Sequence, residues 1–262
     1  MLKERRKRKI LDLIEQEDQV HIPELARMFE VSEMTIRRDL EELDQIGVIQ
    51  RIHGGALAVD TVGKKNEPPI VERSHEQADE KRIIAKKIAS MVKDGEKIFL
   101  GSGTTALAIA EELRHHKNLT VLTNAITIVN ALIPAKQITL IVLGGFLRRA
   151  EMSMIGHFTQ AALEDLQVDK VIIGIRGIHL EHGLSSDNLQ ELLTDQAILK
   201  ISQKVIVAAD HTKFGHIAAI RTAPITAATQ IVTDHQAPVN MIQEIEDLGV
   251  EVITAGRQTM LN

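Results

Sequence analysis

The sequence predicts a two-part α/β chain: a small helical module ending in a β-hairpin, then a larger domain built on a mainly parallel sheet. Three observations carry this expectation. Three short amphipathic stretches precede a Gly-Gly hairpin within residues 1–57. A polar stretch follows over 58–77, holding Pro68-Pro69 and no periodicity, as a linker does. From 78 to 262, short apolar runs alternate with helical patterns, the rhythm of strands covered by helices on both faces.

Composition narrows the classes. At 262 residues, with 44% hydrophobic and 26% charged positions, the chain has material for more than one globular core. No apolar run approaches the ~20 residues that span a bilayer. The opening "MLKERRKRKILDLIEQ" is basic but lacks the apolar centre and cleavage site of a secretory signal, so the expected location is the cytoplasm. The absence of cysteine excludes disulfides, thiol catalysis and zinc-thiolate sites, and fits a reducing compartment. Without Trp or Tyr, a stacking platform for single-stranded nucleic acid is not expected.

In the front module, "ERRKRKILDLIEQ" sets Ile10, Leu13 and Ile14 at helical spacing. "IPELARMFEV" has Pro23 at a first helical position and Leu25, Ala26 and Phe29 on one face. The next helix starts almost at once, with Ser32 as N-cap and Ile36, Leu40 and Leu43 as its buried stripe. Two helices so close in sequence must turn sharply on each other, the helix-turn-helix pattern. Gly47 is the expected C-cap, and "VIQRIHGGALAV" reads as a hairpin wing broken at Gly54-Gly55.

Ser32, Glu33, Met34, Thr35, Arg37 and Arg38 crowd the start of that third helix, where the dipole disfavours positive charge. Glu41 and Glu42 stand where they would pair with the arginines along the helix, which is the plain reading of a solvated face. The ordered constellation around them favours another. In winged modules of this type the third helix enters the major groove, where Arg reads guanine and Ser or Thr bonds bases or phosphates. Residues 1–56 hold ten Lys/Arg against twelve Asp/Glu, but six of the ten fall between Lys3 and Lys9. Clustering matters more than the sum, so moderate, salt-sensitive affinity for double-stranded DNA is expected.

In these residues, "SEMTIRRDLEEL" followed by "GVIQRIHGGA", the chain resembles the DeoR family of bacterial transcription regulators. The resemblance places Arg51 and His53 in the wing near the DNA backbone or minor groove. Asp39 is expected to fix an arginine or the turn rather than to touch DNA.

The larger domain shows polar turns after its strands. "GSGTT", Gly101 to Thr105, joins a strand to a helix, and its glycines and helix-start N–H groups suit a phosphate. It lacks the lysine of a Walker A loop and the spacing of a dinucleotide turn. Asn124 in "LTN", Gly144 and Gly145 with Arg148 in "LGGFLRR", and Lys213 in "AADHTKFG" also follow strands. Four such turns on one rim predict a ligand pocket where strand carboxyl ends converge. Scattered loop histidines, among them His179 and His211, show no metal-ligand spacing, and no metal is expected.

The family resemblance extends over this half. It implies a sensor domain with the fold of ribose-5-phosphate isomerase, responding to phosphorylated sugars. Ser102, Gly103, Thr104 and Thr105, beside Gly101, would hold the phosphate; Asn124, Gly145, Arg148 and Lys213, with Gly144, would line the rest. The chain departs from the family pattern at Gly101, where an acid is common, at His179, where "GID" is common, and at Leu193 and Asp195, where a Glu…Lys pair is common. The leading expectation is a repressor of a carbohydrate-utilisation operon, acting as a homodimer or homotetramer, with no cofactor and no catalytic residues. The alternative is a sugar-phosphate isomerase with an accessory DNA-binding domain, with Asp210 and Lys213 as remnants of its chemistry and no evident second carboxylate. A third reading is a scaffold that binds DNA and oligomerises without a ligand.

Overall fold

A computed structural model describes residues 3–17, 19–45, 49–52, 54–58 and 70–256. Two compact units divide the chain, Met1–Glu67 and Pro68–Asn262.

The first unit contains α1 (Lys3–Glu17), β1 (Gln19–His21), α2 (Ile22–Phe29), α3 (Glu33–Gln45), β2 (Ile49–Ile52) and β3 (Gly55–Ala58). The stripes read from the sequence meet in one core. Ile10 and Ile14, then Leu25, Ala26 and Phe29, then Ile36, Leu40 and Leu43 are buried together, with Leu13 packed against them. Glu30 ends α2 in the left-handed region at φ 54°, and the Val31 N–H closes the turn on the Ala26 carbonyl at 3.1 Å. That closure lets α3 begin at once, capped by Ser32 Oγ, which accepts from the Thr35 N–H at 3.3 Å.

β1 was not expected; three residues are too few to show alternation. It pairs with β3, giving an antiparallel sheet in the order β1-β3-β2. The two wing glycines serve different needs. Gly54 turns the hairpin at φ 90°, while a side chain on Gly55 would overlap the Val20 carbonyl where β3 crosses β1. The expected Gly47 cap, His53 and residues 59–69 of the expected linker lie outside the described residues.

The second unit runs α4 (Ile70–Arg73), α5 (Ala78–Met91), β4 (Lys97–Leu100), α6 (Thr104–Leu113), β5 (Thr120–Thr123), α7 (Ile126–Leu132) and β6 (Thr139–Val142). It continues through β7 (Phe146–Arg148), β8 (Ser153–Ile155), α8 (His157–Glu164), β9 (Lys170–Gly174), β10 (Gly177–His179), β11 (Gly183–Ser186) and α9 (Leu189–Ile198). β12 (Val205–Ala208), β13 (Ile220–Ala223), β14 (Gln230–Thr233), α10 (Val239–Asp247) and β15 (Glu251–Thr254) complete it. Residues 70–77, assigned above to the linker, belong instead to this unit. Ile70 is buried and its N–H donates to the Ala150 carbonyl at 2.9 Å, and Arg73 is buried beside Glu151.

Seven parallel strands form the sheet, in the order β15-β14-β12-β9-β4-β5-β6. Both faces are covered, and side chains alternate between them. Ile98 and Leu100 of β4 join the core under α5, α6 and α7, while Phe99 joins the core of the opposite face with Leu163 and Ile198. Two small antiparallel additions, β7-β8 and β10-β11-β13, lie outside the main sheet. After β4 the chain builds outward through β5 and β6, then returns to lay β9 on the other side of β4. The strand order therefore reverses between β4 and β9, and a crevice opens beyond their carboxyl ends. Among the described residues no helix is long and apolar enough to cross a membrane.

Gly55→Ala is expected to destabilise the first unit by about 1–3 kcal/mol through overpacking against Val20. A urea melt of the full chain, followed by loss of the helical signal of that unit, checks this; an unchanged first transition would contradict it.

Candidate functional site

The start of α3 is an open polar face. Ser32, Glu33, Met34, Arg37 and Arg38 are exposed, and Thr35 is half-buried with its hydroxyl 2.9 Å from that of Ser32. The glutamates expected to neutralise the arginines are engaged elsewhere. Glu42 meets Lys3 and Lys7, each at 2.5 Å, and hydrogen bonds from these two lysines hold its carboxyl down at about 2. Glu41 lies 3.7 Å from Arg51. Among the described residues Arg37 reaches only Glu33, at 3.5 Å, and Arg38 has no hydrogen-bond or ion-pair partner. The outward cation of α3 is thus left available.

Arg51 is exposed on β2, and its N–H donates to Asp44 at 3.1 Å, fastening the wing to the end of α3. Asp39 does what the sequence suggested. It is buried and accepts from Arg6 at 2.5 Å, tying α1 to α3 from beneath. Three of the six clustered basic residues, Lys3, Arg6 and Lys7, are therefore engaged by α3 carboxylates, Arg6 in a buried pair and Lys3 at the surface.

In the second unit one cleft opens at the switch between β4 and β9. Gly101, Ser102, Gly103, Thr104 and Thr105 line it, as do Asn124 beyond β5 and Lys213 beyond β12. No carbonyl or side chain among the described residues accepts from the N–H groups of Ser102 to Thr105, so the start of α6 faces the cleft with free donors. Three expected residues are placed differently. Gly144 and Gly145 do not line the cleft. A side chain on Gly145 would overlap Thr159 Oγ1, and Gly144 gives its carbonyl to that same hydroxyl at 2.8 Å, so this pair lets the chain pack on α8. Arg148 is buried behind the lining, donating to Glu191 at 3.0 Å.

The residues that sequence reasoning missed are charged. Lys81, in the first turn of α5, lines the cleft and donates to the Arg73 and Glu76 carbonyls at 3.1 and 2.5 Å. Burial lowers its pKa, against the upward pull of Asp210. Its signal was present: Lys81 sits on the stripe Ile84, Ala85 and Ile88, a lone cation on a buried face. Glu151 is buried; its Oε1 accepts from Arg73 at 2.7 Å and Arg176 at 3.0 Å. Nothing local in sequence marks it.

The absent second carboxylate is also corrected. Glu151, Glu191 and Asp195 all line the cleft. Burial pushes Glu191 and Asp195 well above the ordinary carboxylate range, and Asp195 adds to the rise at Glu191. Asp210 is a turn cap instead, accepting from the Thr212 N–H at 3.0 Å, with Lys213 Nζ 4.0 Å away. His179 likewise caps a turn, accepting from the Glu181 N–H at 3.2 Å, and His211 lies against Asp234 at 3.1 Å.

Comparison with known proteins adds to this geometry. Residues 6–62 match the DeoR-like helix-turn-helix domain and residues 76–235 the DeoR C terminal sensor domain. The chain is 34% identical to the glycerol-3-phosphate regulon repressor of Escherichia coli (strain K12), covering 93% of this chain and 95% of that one. It is 36% identical to the uncharacterized HTH-type transcriptional regulator FruR of Bacillus subtilis (strain 168), over 89% of this chain and 92% of the other. Among solved structures, ribose 5-phosphate isomerase A of Methanocaldococcus jannaschii matches 53% of this chain at 17% identity, with a TM-score of 0.39. This chain covers about half of the isomerase, 55%.

The buried acids set a pH dependence. Their folded pKa values stand above the unfolded ones, so the native state holds more protons between about 4 and about 7, and stability falls as pH rises through that window. Asp195→Asn removes part of this penalty. Its urea midpoint is expected to gain on that of the wild type as pH rises from about 4 to about 7; a constant difference would contradict burial as the cause.

Proposed function

This chain belongs to the DeoR family of transcriptional regulators, and from that premise we propose that it represses a carbohydrate-utilisation operon under control of a phosphorylated sugar. The observation that carries the reading is the cleft at the β4/β9 switch. Free N–H groups at the start of α6 share it with Lys81 and Lys213, which suits a phosphate dianion. Asn124 and the acidic groups opposite suit sugar hydroxyls. The domain is read as a sensor rather than a catalyst.

Arg37, Arg38 and Thr35 are the base or phosphate contacts of α3, with Ser32, Glu33 and Met34 at its tip and Arg51 on the wing. One short recognition helix reads a half-site, so a homodimer or homotetramer is the working state. The effector acts through different affinity for DNA-competent and DNA-incompetent states. The route is short in sequence: Arg73, Glu76 and Lys81 line the cleft, and the segment that carries them follows directly on the linker.

Arg38→Ala is expected to weaken operator binding with folding intact. A base contact would cost about 1–3 kcal/mol and relax specificity at one position. A phosphate contact would weaken all sequences alike and lower the salt slope by about 1. An unchanged gel-shift midpoint would refute the assignment. Thr104→Glu is expected to abolish the response to a phosphosugar, because it sets a carboxylate where the phosphate belongs. Normal release of DNA by that variant would overturn the phosphate site, and turnover of ribose 5-phosphate by the wild type would favour an enzyme.

A further inference from the structure

The acidic wall of the cleft is not uniformly compensated. Glu151 is held by Arg73 and Arg176, and Glu191 by Arg148. Asp195, one turn further along α9, lines the same cleft and feels the Arg148 charge, yet its carboxylate has no hydrogen-bond or ion-pair partner among the described residues. Two hydroxyls on the neighbouring antiparallel sheet share its condition. Ser186 on β11 is 6% exposed and Thr222 on β13 is 3% exposed; both line the cleft, and neither hydroxyl has a partner. The Gln196 side chain donates to the Thr222 carbonyl at 3.2 Å, which seats α9 against β13 next to Asp195.

A carboxylate and two buried hydroxyls without partners form a set of acceptors that wants donors and a positive charge. An ammonium group has three N–H donors and one positive charge, so it can satisfy a carboxylate and hydroxyl oxygens that line the same cleft. A neutral sugar hydroxyl has one donor and brings no charge to a carboxylate whose ionised form the site already disfavours.

Building on the phosphosugar reading, the geometry points to an amino sugar phosphate as the effector, its ammonium received by Asp195 with Ser186 and Thr222 and its phosphate by the start of α6. Burial already raises the pKa of Asp195, and a cation in contact would relieve that penalty by stabilising the ionised form. Asp195 is then the residue that sets specificity, while Lys81, Lys213 and the free N–H groups supply affinity common to all phosphosugars.

Calorimetry on the full chain near neutral pH tests this with glucosamine 6-phosphate, galactosamine 6-phosphate, glucose 6-phosphate and N-acetylglucosamine 6-phosphate. At least one of the two free amines is expected to bind about tenfold or more tightly than both uncharged compounds, as a close charge pair allows. Asp195→Asn is expected to erase most of that margin. An uncharged compound binding as tightly as the amines, or a margin that survives in Asp195→Asn, would overturn the inference and leave the phosphosugar reading standing. Binding of none of the four would overturn the inference, and the phosphosugar reading is then decided by the Thr104→Glu response above. The wild-type comparison decides the matter even if the variant does not fold.

Discussion

Charge taken out of water must meet opposite charge, and this constraint organises both units. In the first, Arg6 and Asp39 join α1 to α3 beneath the exposed recognition face. The pair lies one residue from Arg38, so the outward arginine inherits its position from an inward one. Breaking a buried pair by removing one partner costs about 3–5 kcal/mol, a large part of the stability of a small domain. In the second unit, Glu151 takes Arg73 from α4 and Arg176 from beyond β9 on a single oxygen. That bond holds the segment after the linker against the end of the sheet. Lys170 and Glu96 repeat the arrangement at the opposite end of β9. Where it is met least directly, at Asp195, which feels the Arg148 charge but pairs with no cation among the described residues, the residue lines a cleft.

What could be read in advance follows from the range of each interaction. The stripes Ile36, Leu40, Leu43 and Leu25, Ala26, Phe29 came through intact because helical periodicity is local and the core that receives them is one cluster. The parallel strands were equally legible, as short apolar runs bounded by turns. β1, β7, β8, β10, β11 and β13 were not, since these segments are too short to show alternation and are not apolar runs either. Their existence is decided by partners distant in sequence, as Gly55 shows against Val20.

The site divides along the same line. "GSGTT" was visible because the turn is contiguous in sequence, whereas its charged companions in the cleft come from residues 73, 81, 151, 176, 191 and 195. Glu41 and Glu42 teach the converse. Local spacing offered them to Arg37 and Arg38, but Arg51, Lys3 and Lys7 took them. Gly144 and Gly145 looked like a ligand-hugging pair and prove to be packing glycines under Thr159. A glycine after a strand states that something comes close; it does not state what.

The cleft has the energetic range that a switch requires. Moving a two-state equilibrium from 1:99 to 99:1 takes a differential of about 5.5 kcal/mol. Asn124 Oδ1, Glu151 Oε2, Ser186 Oγ and Thr222 Oγ1 are buried without a protein partner. Each such group satisfied in one state and not in another is worth about 1–3 kcal/mol. Four of them reach the needed differential without any large apolar contact, and a charge met at Asp195 adds to it. A well-packed apolar pocket would bind as tightly but discriminate less, because missing methylenes are forgiven where missing hydrogen bonds are not. An unsatisfied wall is therefore a cost in the free protein that would make a proposed effector response selective.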